Sequence, residues 1–186
     1  MQFWLIYYKL YIEVIIYNIK KLKVREVIKL KLVMVPKGSK FPVLNDRERT
    51  VYTIKKKKLG AAKYVLIDKN GYVLYVLQPN VGGKRPSFKV YLNDKVILDI
   101  VCTSMFLEPT IEVTGEGRKY SIKTADRKEF DIFTEDKNIG HVIGNIKIIV
   151  LMSGDRQIEL EVEDKRFDDA MPLLALAVEL TFAQDK

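Results

Sequence analysis

The 186-residue chain has one cysteine, Cys102, and one histidine, His141. A single cysteine excludes an intramolecular disulfide and a cage of cysteine ligands, and one histidine without such partners cannot build a zinc site. No serine or cysteine near His141 forms a recognisable nucleophile motif. We interpret both residues as ordinary strand residues, Cys102 being a small buried one. The sequence therefore predicts no metal, no cofactor and no catalytic residue, and the single thiol fits a reducing cytoplasm.

Phosphate-binding loops and membrane-length apolar runs are also missing. Gly82 and Gly83 lack the Gly-x-x-x-x-Gly-Lys-Ser/Thr spacing. The last apolar segment, residues 170–183, would span only ~20 Å as a helix, whereas a bilayer needs ~20 apolar residues. Only Glu179 and Thr181 are polar in it, so the helix has no wide face for water and belongs in a core. Asp169 is a suitable N-cap, and this places Pro172 in the first turn.

Short strands separated by turn signals fill residues 47–163. The clearest hairpin turn is Asp68-Lys-Asn-Gly71, and two further turns are predicted at Asn93-Asp94 and Gly115-Glu-Gly117. We predict two separate strands at residues 139–143 and 147–152, and eleven or twelve strands in the whole chain. A sheet of that size favours closure, and its lumen is wide enough for a helix of 10 to 12 Å. The predicted fold is all-β, a closed barrel of about twelve strands around the hydrophobic C-terminal helix.

The basic charge is concentrated in the first third of the chain. The net charge is +8, but residues 1–58 carry 15 Lys and Arg against 4 Asp and Glu, whereas residues 59–186 carry 17 against 20. An argument for an anionic partner from net charge therefore depends on the N-terminal third.

We assign residues 1–34 to an N-terminal extension and residues 35–186 to a single domain, beginning with an irregular approach segment rich in Pro and Gly. Residues 3–23 consist almost wholly of Ile, Tyr, Leu, Lys and Val, without the basic start or cleavage site of a signal peptide. A weak membrane anchor is one interpretation, although Lys9 and Glu13 interrupt it. A second is that untranslated AT-rich DNA has been read through, so that synthesis begins at Leu30 or Met34, which the intact mass of the native protein would test. The remaining alternative is an ordinary extra strand or helix.

Two groups of residues are candidate sites. The first is an anion-binding cluster that combines a four-lysine run, a nearby lysine and a Gly-Gly-Lys-Arg-Pro loop: Lys55, Lys56, Lys57, Lys58, Lys63, Lys84 and Arg85. Because strand alternation would turn two of the four lysines inward, we place the run at a strand end or loop, where the alternative is a solvated surface. The second is Glu179, predicted as a carboxylate at the barrel mouth, with a buried ion pair or a ligand-binding role as alternatives.

The order of elements resembles a known superfamily. A meander of short strands, the Asp68-Lys-Asn-Gly71 hairpin, and an acidic pair before an apolar C-terminal helix are similar to the tubby C-terminal-like proteins. Within that superfamily the chain resembles the LURP-one-related proteins and their small bacterial relatives, with phospholipid scramblases as distant relatives. The resemblance implies a twelve-stranded barrel around the helix and, for tubby proteins, a basic surface for phosphoinositide head groups. No motif of that lipid site matches residues of this chain, so it is not transferred.

These observations favour a non-enzymatic cytoplasmic barrel that binds an anionic partner, with membrane association and lipid head groups preferred to nucleic acid. The tyrosines of residues 52–75 are placed as ordinary strand residues and do not indicate nucleic acid. The alternatives are an enzyme or small-ligand binder at the barrel mouth near Glu179, and a scaffold for a protein partner. The oligomeric state stays open.

Overall fold

The computed structural model describes residues 29–57, 62–115, 117–136, 139–163 and 167–182. They form twelve strands and one helix. The strands are β1 (Lys29–Met34), β2 (Lys40–Asn45), β3 (Thr50–Lys57), β4 (Lys63–Asp68), β5 (Val73–Pro79), β6 (Ser87–Leu92), β7 (Lys95–Ser104), β8 (Thr110–Gly115), β9 (Arg118–Lys123), β10 (Glu129–Asp136), β11 (Ile139–Val150) and β12 (Arg156–Glu163), and the helix is α1 (Met171–Phe182).

The twelve strands close into an antiparallel barrel. Each strand pairs with the next one along the chain, and β1 pairs with β12 to complete the circle. At this closure Lys31 lies between two glutamates of β12, with Nζ 3.2 Å from Glu159 and 3.6 Å from Glu161. The hydrogen bond and charge of Glu159 are the main reason that the pKa of Lys31 is raised. The predicted all-β barrel of about twelve strands is confirmed.

The helix α1 lies inside the barrel and is buried on every side. Ten of its residues are buried, among them Leu173 and Leu176, which have no exposed surface. Such a helix needs partners all round, and the inward side chains of the strands supply them in one continuous core. The prediction of an enclosed C-terminal helix is confirmed.

The start of α1 differs in one detail from the prediction. Asp168, rather than Asp169, accepts the backbone N–H of Ala170 at 2.8 Å. The carboxylate of Asp169 instead accepts the hydroxyl of Tyr52 on β3, at 2.6 Å. The two aspartates therefore have different roles. Asp168 accepts a backbone N–H group at the start of the helix, and Asp169 bonds that start to β3 of the barrel wall.

Two of the three predicted hairpin turns are present, and the third, at residues 115–117, includes Glu116, which lies outside the described residues. The carboxylate of Asp68 accepts the backbone N–H groups of Asn70 and Tyr72 at 2.9 and 2.8 Å. Asn93 and Asp94 both have positive φ, 48° and 64°, which is the requirement of a two-residue type I′ turn. These turns hold β4 to β5 and β6 to β7.

The two short strands predicted at residues 139–143 and 147–152 are one strand, β11. It continues through Gly144, next to a bulge in its pairing with β10. A Cβ at Gly144 would collide with the backbone carbonyl of Glu161, so the glycine permits close approach of β12 rather than ending the strand.

Two strands that we did not predict, β1 and β2, bring the number of strands to twelve. Residues 29–34, assigned to the extension, form β1, whose Leu32 and Met34 point into the core. Residues 40–45, assigned to an irregular segment, form β2 despite Pro42. Its pairing with β1 ends at Val43, one residue after that proline, and Val35 N–H still bonds the Pro42 carbonyl at 3.2 Å. Residues 29–34, which we assigned to the extension, are therefore part of the described barrel.

The interpretations given to residues 1–28 lie outside the described residues. Among the described helices, none is both long and apolar enough to cross a membrane.

Candidate functional site

The end of the barrel at which α1 terminates gathers the predicted basic residues. In an antiparallel barrel whose strands follow the chain, alternate connections lie at the same end. The connections β1–β2, β3–β4, β5–β6, β7–β8, β9–β10 and β11–β12 share one end, which we call the basic end. The helix starts beside Tyr52, at the opposite end of β3, and runs toward the basic end.

The run of lysines that starts at Lys55 lies at the end of β3, in agreement with the prediction of a strand end or loop. Lys55 pairs with Lys40 of β2, and Lys57 pairs with Lys63 of β4. All four of these lysines are exposed. Lys58 lies outside the described residues, so its position in the cluster stays a prediction.

Lys56 differs from its neighbours because it follows Ile54 on the inner side of the strand. At the end of the barrel its ammonium group reaches water and lies 5.7 Å from the centre of the Tyr64 ring. That distance is within the range of a cation–π contact. Lys56 therefore places a positive charge over the mouth and not on the outer wall.

Glu179 lies near this charge, in the last turn of α1. Its side chain is 13% exposed, and its Oε1 is 3.8 Å from Nη1 of Arg156, the first residue of β12. Burial raises the pKa of the Glu179 carboxyl, while the charges of Arg156 and Lys56 oppose the rise. The residue combines two of the predicted alternatives, since it is close to the mouth and also pairs loosely with an arginine.

A cavity of about 480 Å³ opens at the basic end beside the last turn of α1. Both residues of the predicted Lys84-Arg85 pair line it, together with Tyr64, Asn80, Ser87 and Leu180.

Several polar groups of this cavity come from the β5–β6 connection and from Ser87, the first residue of β6. The Asn80 amide donates to Ser87 Oγ at 3.1 Å, and Arg85 donates to the carbonyl of Thr103 on β7. Among the described residues of its lining there is no carboxylate, so Lys84 and Arg85 give this part of the cavity a positive charge. A cationic wall with amide and hydroxyl groups over an apolar floor suits a bound phosphate or carboxylate.

A second cavity, of about 510 Å³, has the opposite character. Glu108, Asp126, Glu129 and Asp131 contribute to its lining, with Lys123. Asp126 is already satisfied, because it accepts the backbone N–H groups of Lys128 and Glu129 at 2.8 and 2.9 Å, which lower its pKa. Within the described residues no group of three or more His, Cys, Asp or Glu side chains could hold a metal ion. Glu179 lines neither cavity.

His141 and Cys102 take no part in either cavity. His141 lies on β11 toward the opposite end, with Nε2 3.1 Å from Oε1 of Glu163. Cys102 is buried in β7, and this burial raises the pKa of its thiol. A raised pKa makes a thiol less nucleophilic at neutral pH.

The sequence did not reveal every residue of the basic end. Tyr64, Asn80, Ser87 and Leu180 were read only as strand, loop or helix residues. Arg127 was also missed, although it reaches across the mouth to donate to the Met105 carbonyl at 2.7 Å. These residues come from different strands and connections, and only closure of the barrel brings them together. No sequence motif therefore marks them as a group. One signal was available and unused, an apolar pair at a loop tip, Phe106-Leu107.

Comparison with known proteins identifies the barrel. A search of curated proteins gives no match. An X-ray structure of a protein from Arabidopsis thaliana has a similar fold, with a TM-score of 0.56 and 13% identity over 82% of this chain and 89% of the other. The family model described as LURP-one-related matches residues 24–180, which include β1 and the whole of the barrel. This chain therefore belongs to the LURP-one-related family.

Proposed function

We propose that this protein is a non-enzymatic binding module whose basic end holds a phosphate group of an anionic lipid. The observation that carries the proposal is the cavity of about 480 Å³, with Lys84 and Arg85 in its wall and no carboxylate among the described residues that line it. Lys56 and Lys57 at the end of β3 and Lys63 at the start of β4 extend the positive field beyond the cavity.

The surroundings of the cavity favour a head group at a surface over a small molecule enclosed in the lumen. The interior of the barrel is filled by α1 and the inward side chains, so the lumen leaves no room for a ligand. A cluster of lysine and arginine side chains contributes ~1 kcal/mol per residue near an anionic membrane surface. The resemblance to tubby proteins, whose basic surface takes phosphoinositide head groups, points the same way.

Liposome flotation tests this proposal. The full chain is mixed with phosphatidylcholine vesicles, with or without phosphatidylserine or a phosphoinositide, at two salt concentrations. We expect flotation only with anionic lipid, and less of it at high salt, because salt screens the contact. The variant Lys84→Ala/Arg85→Ala should bind roughly tenfold more weakly or worse, since it loses two such contributions.

A matched control separates the cavity from net charge. The variant Arg47→Ala/Lys69→Ala removes the same two charges from exposed positions at the opposite end, and it should float like wild type. Thermal melts of both variants check that the fold is kept. If the cavity variant floats as well as the control, the cavity does not bind lipid. If wild type ignores anionic vesicles at low salt, a protein partner becomes the better hypothesis.

A further inference from the structure

Four large apolar side chains stand in water at the tips of the connections of the basic end. Val81 is 88% exposed on β5–β6, Phe106 and Leu107 are 81% and 99% exposed on β7–β8, and Met152 is fully exposed on β11–β12. Turn positions ordinarily carry Gly, Pro, Asn, Asp or Ser, which makes apolar tips on three separate connections unusual. Exposed apolar side chains that gather at one end of a domain point to an interaction surface there.

The positions of these tips define a face and not a groove. Strand order follows the chain around the barrel, so the β5–β6 and β11–β12 connections are six strands apart in either direction and lie opposite each other. The β7–β8 connection lies between them. The apolar tips therefore stand on both sides of the barrel axis, and a partner that touches all of them must meet the barrel end-on.

The same face carries the lysine and arginine side chains of the basic end. Lys84 and Arg85 follow Val81 on one connection, and Lys56 and Lys57 lead into the next. Arg127 lies under the tip at β7–β8, with its guanidinium carbon 5.9 Å from the centres of the Phe106 and Phe182 rings. Its hydrogen bond to the Met105 carbonyl ties the β7–β8 connection to the β9–β10 connection.

Carboxylates are present on the face but are partly engaged. Asp126 accepts backbone N–H groups, and Asp155 accepts the hydroxyl of Ser153 at 3.0 Å. At the opposite end, acidic and basic residues alternate in the described β2–β3 connection, Asp46-Arg-Glu-Arg49, which therefore carries no excess of positive charge.

We propose that the barrel docks end-on to an anionic bilayer, with Val81, Phe106, Leu107 and Met152 entering the boundary between head groups and acyl chains. This inference rests on the proposed function and adds insertion and orientation to it. Apolar side chains interleaved with lysine and arginine match a surface that offers acyl chains beneath negative charge. Nucleic acid offers the charge without the apolar layer.

A tryptophan placed at a tip reports insertion directly. In a Trp4→Phe background, Leu107→Trp should shift its emission to the blue on vesicles of phosphatidylcholine and phosphatidylserine. Bromine-labelled acyl chains should quench it. Tyr72→Trp is the matched control, because Tyr72 is 71% exposed at the opposite end. It should show neither change.

A binding measurement complements the spectroscopy. The variant Phe106→Ser/Leu107→Ser should bind anionic vesicles at least about tenfold more weakly, because it no longer removes two large side chains from water. Its remaining binding should keep the salt dependence of wild type. These positions are exposed, so the melting temperature should be nearly unchanged.

The outcomes separate the two proposals. If wild type shows salt-dependent binding but Leu107→Trp stays unshifted and the serine variant binds like wild type, insertion is refuted and head-group binding stands. If wild type does not bind anionic vesicles at all, both are refuted. A blue shift at Tyr72→Trp equal to that at Leu107→Trp would overturn the end-on orientation.

Discussion

Truncation of Leu176 in the middle of α1 should cost the barrel a large part of its stability. Leu176 has no exposed surface and lies where the helix is surrounded by strands on all sides. Leu→Ala substitutions in such cores cost ~2 to 5 kcal/mol, since the transfer energy is lost and a cavity remains. Domains are stable by only ~5 to 15 kcal/mol, so Leu176→Ala should remain folded with a much smaller margin.

The measurement is urea unfolding followed by circular dichroism, with a thermal melt alongside. For a chain of this size ~1 kcal/mol corresponds to ~2 to 4 °C, so we expect the melting temperature to fall by roughly 5 to 15 °C. Leu107→Ala makes the same chemical change at a position that is 99% exposed, and it should stay within ~0.5 kcal/mol of wild type.

A charge at the same position is the sharper test. Leu176→Asp would bury an unpaired carboxylate and should prevent folding. If Leu176→Asp gave a soluble protein with a cooperative melt, or Leu176→Ala cost no more than Leu107→Ala, the helix would not be the centre of the core.

Three further outcomes follow from the fold. Gly144→Ala should destabilise the barrel by ~1 to 3 kcal/mol in urea unfolding, because its Cβ would meet the rigid backbone carbonyl of Glu161; an unchanged midpoint would contradict this. Removal of residues 1–34 should lower the melting temperature far more than removal of residues 1–28, since only the longer deletion takes β1 from between β2 and β12; equal melting temperatures would show that β1 is dispensable. Burial raises the pKa of Glu179, so the stability it contributes is complete below its ordinary value of 4.5 and is lost as pH rises through the folded value. Glu179→Gln should therefore melt above wild type at pH 7, and the gain should disappear as the pH falls below 4.5; a lower melting temperature at pH 7 would mean that the Arg156 contact outweighs burial.

The sequence was sufficient for the class of fold because two local signals agreed. The apolar helix had to be enclosed by other elements. Turn residues such as those at Asp68 and Asn93 divided the rest of the chain into short strands that can form a barrel. Where local signals conflicted, the strand assignment failed. Gly144 resembled a strand end but allows close packing, and Pro42 resembled a loop but lies in a strand just past the last residue paired with β1.

The first strand was missed for a different reason. Polar and apolar side chains alternate over residues 29–32 as in a half-buried strand, but this segment follows one of unusual composition and was grouped with it.

The sequence identified the basic residues of the candidate site but not their arrangement in space. The lysine run and the Lys84-Arg85 pair are visible in the sequence, but their shared end depends on strand order around the closed barrel. Leu180 and Tyr64 belong to the cavity because α1 ends beside β4, and that is a property of the whole fold.

The pairing of β1 with β12 also sets the order in which the molecule can be built. During synthesis β1 emerges first among the described elements, and 134 residues separate Lys29 from its partner Glu163. At ~5 to 20 residues per second the growing chain carries an open sheet with two unpaired edges for roughly 7 to 27 s. The helix that fills the lumen is made later still, so the sheet must stay open, or reopen, to admit it. Until then the inner face of the sheet is exposed to neighbouring chains, and the yield of folded protein in a cell should depend on how well chaperones cover that face.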